Sequence, residues 1–204
     1  IRMRLVGSEM CIRDSISDSS YDENKRWPDG LSPFGFKVVK EMNKQGVMID
    51  ISHVSDAAFM KVLELSKAPV VATHSSLRHF TPGWERNVSD EMLIALAENG
   101  GVIQLCFGSD FVANRKDNPD IEVSVKNVVD HIDRVRDLVG IDHVGFGSDF
   151  DGEVPLPEDI NDVSKFPNLI EELLIRGYTE SEIDKILNEN ILRVWKEVRA
   201  LADV

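Results

Sequence analysis

The 204 residues carry 36 acidic against 23 basic side chains, a formal net charge of −13, which argues against nucleic acid as a partner because binding a phosphate backbone rests on Lys and Arg. No apolar run approaches the roughly 18 residues of a transmembrane helix, and Cys11 and Cys106 have no neighbouring Cys or His at zinc-finger spacing, which speaks against a disulfide framework and a Cys-based zinc site. The length suffices for one sizeable core but falls short of the roughly 250 residues typical of a complete eight-unit barrel. The cysteine usage is compatible with a reducing compartment, so a cytoplasmic location is the expectation.

Residues 1–30 are rich in Ser, Asp and Arg and end in the turn signal Trp27-Pro28-Asp29-Gly30. They are expected to be a disordered or non-native leader; the stretch from Ser8 to Ser15 resembles translated sequencing-adapter read-through. From Leu31 the pattern is regular. Ser32 as N-cap and Pro33 at the first helical position predict a helix to about Gln45, stopped by Gly46. An apolar strand then runs from Val47 to Ser52. Ser55 caps a helix from Asp56 to Leu65, and Pro69 opens the next strand, through Thr73.

A long polar and aromatic loop follows, then a helix opened by Ser89-Asp90-Glu91 and a strand from Val102 to Phe107. Val125, Val128, Val129, Ile132, Val135, Leu138 and Val139 recur at helical spacing, and Gly140 ends that helix before a strand over Val144 to Ser148. Past the Pro155 and Pro157 loop the tail reads as helices, with a capping box at Thr179 to Glu182 and an amphipathic run from Ile191 to Leu201. Strands alternating with helices imply βαβ units and a parallel sheet. The expectation is an α/β fold, a partial (β/α)8 barrel with roughly four parallel strands over residues 31–204. An open doubly wound sheet is the alternative, but no glycine-rich phosphate fingerprint follows the first strand.

The chemistry-bearing residues sit at strand ends. His53 and His74 close successive strands, and Asp149 follows the strand from Val144. In a barrel, carboxyl ends of different strands converge on one rim, so two imidazoles there could share a metal, a donor type suited to zinc. Asp149 could act as acid/base, while Asp151 reads as a turn residue. The loop after His74 carries Arg78, His79, Trp84 and Arg86, and either arginine could clamp a substrate carboxylate. His131 and His143 read as structural. Asn87-Val88-Ser89 fits a glycosylation sequon, a pattern with frequent chance matches.

Several ordered segments, among them Gly30-Leu31-Ser32-Pro33-Phe34-Gly35, Ile49-Asp50-Ile51-Ser52-His53-Val54-Ser55, Thr73-His74-Ser75-Ser76, Arg86-Asn87-Val88 and Gly145 through Gly152, resemble the membrane (renal) dipeptidase family of zinc peptidases. The resemblance implies an amidohydrolase-type (β/α)8 barrel whose two-zinc centre hydrolyses dipeptides, often tolerating a D-residue on the C-terminal side. It implies that His53 and His74 ligate one zinc, Asp149 handles the proton of the attacking water, and Arg86 grips the substrate carboxylate. The family's first-strand His-x-Asp pair, its bridging Glu and a further substrate-contacting His have no counterpart in this sequence. The chain therefore reads as the C-terminal half of such an enzyme, expected to hold at most one zinc and to need a complementary N-terminal half or a homo-oligomeric partner. Alternatives are another metal-dependent amidohydrolase or lactonase, or a non-catalytic fragment.

Overall fold

The computed structural model describes residues 15–152 and 154–202. Helices alternate with parallel strands: α1 (Pro33–Gln45), α2 (Asp56–Leu65), β1 (Val71–Ser75), α3 (Asp90–Glu98), β2 (Val102–Cys106), the single turn α4 (Ser109–Val112), α5 (Val125–Val139) and β3 (Val144–Ser148). The C-terminal part adds α6 (Phe166–Ile175), α7 (Glu180–Asp184), a π-helical turn over Lys185–Glu189, and α8 (Asn190–Ala200). The three strands form one parallel sheet in the order β1-β2-β3.

Local chemistry sets the helix starts. Ser32 Oγ accepts the Gly35 N–H, Ser55 that of Ala58, Ser89 that of Met92, and Thr179 that of Glu182, each satisfying a donor that has no intrahelical partner. Gly46 ends α1 in the left-handed conformation at φ 64°. On α5 the stripe Val128, Val129, Ile132 and Val135 is fully buried, and the helix packs against α3 and α6. At roughly 1.5–3 kcal/mol per buried side chain of this size, that stripe outweighs the weak helix propensity of its valines.

Two expectations change. The first of the four anticipated strands survives only as a parallel bridge between Asp50 and Val71. Val71 N–H donates to Ile49 O and Ile51 N–H to Val71 O, but the next rung is taken by a side chain: Thr73 N–H donates to Asp50 Oδ1 at 3.0 Å. The same oxygen accepts Ser52 N–H at 2.9 Å, so the carboxylate ends the ladder and turns the chain before His53. The leader also departs from expectation: residues 1–14 lie outside the described residues, whereas 15–30 have fixed partners. Asp18, 1% exposed, accepts the N–H groups of Arg26 and Trp27, and a bridge joins Ser17 to Leu31. Closure around a polar anchor replaces the hydrophobic periodicity that the segment lacks.

Gly147 on β3 has no room for a side chain. A Cβ there would lie 2.1 Å from Thr73 O and 2.7 Å from Gln104 O, so the curved sheet brings β1 and β3 backbone together across that face. Gly147→Ala is expected to cost about 3 kcal/mol or more, seen as a lower urea midpoint; an unchanged midpoint would contradict this packing.

Candidate active site

At the carboxyl end of the sheet, His53 Nε2 lies 2.8 Å from His74 Nε2. His74 is placed by β1, whose span Val71–Ser75 includes it, two residues beyond the expected strand end. His53 sits in the turn after the bridge, at φ 67°. Ser148 and Asp149 are also at positive φ, 32° and 66°, and these three are the non-glycine residues in that region among the described residues. Such backbone costs of order 1–3 kcal/mol per residue and clusters at functional sites. Ser148 and Asp149 stand at the end of β3, and His53 in the turn after the Asp50 bridge.

Arg86 comes from the loop after β1 and is 2% exposed. Its Nη2 donates to His74 O at 2.5 Å and contacts His53 Nε2 at 3.2 Å, while Nη1 donates to Ser75 Oγ at 2.9 Å. The guanidinium also lies 5.2 Å from the centre of the Phe111 ring. Among the described residues no carboxylate lies within ion-pair distance of Arg86, and its buried Nε has no acceptor. Arg78 differs. It grips Asp56 with both terminal nitrogens, at 2.7 and 2.6 Å, and donates to Asn87 O. The choice that residue chemistry alone leaves open, and that the resemblance gives to Arg86, is separated here by charge: Arg78 is neutralised in the scaffold, and Arg86 is a buried cation facing the histidines.

Asp149 is half-buried and Asp151 exposed. Cys106, at the end of β2, donates its S–H to Asp149 Oδ2 at 3.6 Å. Burial pushes the Cys106 thiol up to about 12, so it stays a donor. Gly152 closes beneath the carboxylate, where a Cβ would meet Asp149 Oδ1 at 2.5 Å. The negative charge of Asp149 is felt at both His74 and Arg86. Burial, reinforced by the Arg86 charge, lowers the His74 proton affinity, which favours the neutral imidazole that a metal requires.

Four further residues of the site escaped sequence reasoning. Tyr21, from the segment expected to be disordered, places its ring 5.9 Å from that of His53. Cys106 carries no motif. Asp50 and Thr73 lie inside the strand-like runs and read there as strand residues, although an Asp three positions before a strand-end His was a usable signal. The sequon is closed: Asn87 is fully buried, its amide donating to Thr81 Oγ1 and Phe111 O.

As a metal site the donor chemistry fits in part. Two imidazole nitrogens face one gap, and a tetrahedral zinc with bonds of about 2.0–2.1 Å would need them about 3.3 Å apart, a small opening from the observed distance. Among the described residues no group of three or more His, Cys, Asp or Glu side chains converges at a metal's reach, so these two ligands alone form an incomplete set.

The sequence profile described as Membrane dipeptidase (Peptidase family M19) matches residues 3–204. Among solved structures, the probable dipeptidase PvdM from Pseudomonas aeruginosa superposes with a TM-score of 0.83 at 30% identity, over 93% of this chain and 61% of its own length. A metallo peptidase from Rhodobacter sphaeroides, liganded with a phosphinate mimic of the dipeptide L-Ala-D-Ala, gives 0.77 at 35% identity over 83% of this chain and 48% of its own. An amidohydrolase from Pseudomonas aeruginosa gives 0.78 at 30% identity, covering 91% and 61% respectively. The chain thus spans between about half and three-fifths of the length of these relatives. With the profile matched over nearly every residue, and with dipeptidases and a metallopeptidase among its structural neighbours, the chain belongs to the membrane dipeptidase family.

Proposed function

We propose that this chain is the C-terminal part of a zinc-dependent dipeptidase built on a (β/α)8 barrel, with a dipeptide as substrate. The observation that carries the reading is a buried Arg86, with no carboxylate in ion-pair reach among the described residues, beside two converging imidazoles. A cation buried without a counter-charge is costly, and a dipeptide's C-terminal carboxylate would offset that cost bidentately.

His53 and His74 would hold the metal, which when bound supplies Lewis-acid polarisation of the scissile carbonyl and of the attacking water. Asp149 takes the proton from that water and returns it to the departing amine. Arg86 fixes the carboxylate end, so that the peptide bond is presented to Asp149 and the two histidines rather than bound at random. The remaining ligands, and with them a second zinc, would come from a complementary N-terminal half. Another amidohydrolase or lactonase would share the metal and the proton carrier but has no use for a buried carboxylate clamp.

The test is hydrolysis of unblocked and C-terminally amidated dipeptides by the gene product that carries this segment, with and without a chelator. Chelation is expected to abolish turnover. Arg86→Ala is expected to raise KM for the free-acid dipeptide by about 10- to 100-fold, consistent with a charge-assisted bond of about 1.5–3 kcal/mol, with little change for the amide. Equal effects on both substrates would remove the clamp, and chelator-resistant hydrolysis would remove the metal.

A further inference from the structure

We propose that Thr73 is a positioning residue: its hydroxyl relays Asp50 to His74 and fixes the imidazole as the tautomer whose Nε2 lone pair faces His53. The inference rests on the metal-site reading above and deepens it. Thr73 Oγ1 lies 2.5 Å from Asp50 Oδ2 and 2.8 Å from His74 Nδ1. The hydroxyl has one proton. A carboxylate accepts but cannot donate, so at 2.5 Å the proton belongs between Thr73 and Asp50. Thr73 Oγ1 then accepts from His74, which places the ring proton on Nδ1 and the lone pair on Nε2.

The carboxylate is held for this task from three directions. Asp50 Oδ1 accepts the N–H groups of Ser52 and Thr73, and Oδ2 accepts the Thr73 hydroxyl. Asp50 is exposed, so the strength of the relay comes from this three-donor geometry and not from burial. The backbone of His74 is fixed as well: its N–H donates to Ser52 Oγ at 3.1 Å, and its carbonyl oxygen accepts from Arg86.

His53 meets the same gap from the opposite side. With the His74 Nε2 lone pair facing it at 2.8 Å, His53 Nε2 carries the proton between the two rings and donates it to His74. Thr73 thus turns the His74 lone pair to the point that a shared cation would occupy, and a metal binding there would release the His53 proton. The same residue that ends the β-ladder at Asp50 therefore sets which nitrogen of His74 is available. Ligating histidines commonly donate the other ring N–H to a fixed acceptor, and loss of that acceptor costs roughly 10- to 100-fold in metal affinity.

The test uses the 204-residue chain with Thr73→Val, Thr73→Ser and Asp50→Asn. Val keeps the β-branched shape, so the fold should hold, as checked by circular dichroism. Long-range 1H–15N correlation of the metal-free histidine rings is expected to show His74 protonated at Nδ1 in the wild type and in Thr73→Ser. In Thr73→Val and Asp50→Asn the population should move towards Nε2–H. Zinc affinity measured by titration should fall 10- to 100-fold in those two variants and recover in Thr73→Ser. An Nε2–H His74 in the wild type, or a tautomer indifferent to Thr73→Val, overturns the relay. If the tautomer shifts as expected but the wild type takes up no zinc, the relay stands, and what fails is that His53 and His74 hold a metal without ligands from the N-terminal half.

Discussion

Asp149→Asn in the gene product carrying this segment is expected to lower kcat for dipeptide hydrolysis by about 10²- to 10⁴-fold, the usual contribution of a positioned acid/base group. An amide cannot take the proton of the attacking water or return it to the leaving amine. Nothing else at the position should suffer. Asn keeps an oxygen to accept the Cys106 S–H, has the same outline over Gly152, and tolerates φ near 66° at least as well as Asp does. The fall should therefore appear in kcat with KM and melting temperature nearly unchanged. A variant that turns over undiminished would falsify the role of Asp149; one that loses stability in parallel would assign it to the fold instead.

His131→Leu is expected to destabilise the chain by about 2–4 kcal/mol at pH 7, the penalty for stranding two buried backbone groups. His131 is fully buried on α5, where Nδ1 accepts the Leu77 N–H at 3.0 Å and Nε2–H donates to Val112 O at 3.1 Å. It ties the loop after β1, which carries Arg86, to the turn that carries Phe111. Burial, against the hydrogen bond to Val112 O, lowers its pKa to about 4.

The sign of the pH effect follows. Between about 6.5, the unfolded value, and 4 the unfolded chain binds a proton at this position and the folded chain does not, so this contribution to stability is full above pH 6.5 and is lost as pH falls. The loss amounts to roughly 3 kcal/mol over that window. Urea unfolding of wild type and His131→Leu at pH 7 and pH 4.5 should therefore show the gap between them narrowing at the lower pH. A pH-independent gap would mean that His131 takes up its proton at the same pH in the folded chain as in the unfolded one.

Much of this molecule could be read from local chemistry. The Ser32, Ser55, Ser89 and Thr179 caps and the α5 stripe required no tertiary information, because a cap is decided by side chain and backbone within one turn, and an amphipathic face by the 3.6-residue period. The same holds for the family, since its ordered segments are continuous stretches of sequence. The roles of Asp50 and of the segment 15–30 are not legible in the sequence for a common reason. In each, a carboxylate captures backbone N–H groups, two residues away and from the next strand in one case and eight and nine residues away in the other, and such captures leave no periodicity.

By itself, the sequence determined the helix termini, three of the four expected strands and the placing of His74 and Asp149 at or next to the carboxyl ends of β1 and β3, all consequences of short-range sterics and hydrogen bonding. Only the tertiary structure decided that Arg86 and not Arg78 faces the imidazoles, that Cys106 and Tyr21 belong to the site, and that Thr73 joins Asp50 to His74. Those outcomes depend on which charges are neutralised and which atoms meet across the sheet, and no spacing along one chain encodes that.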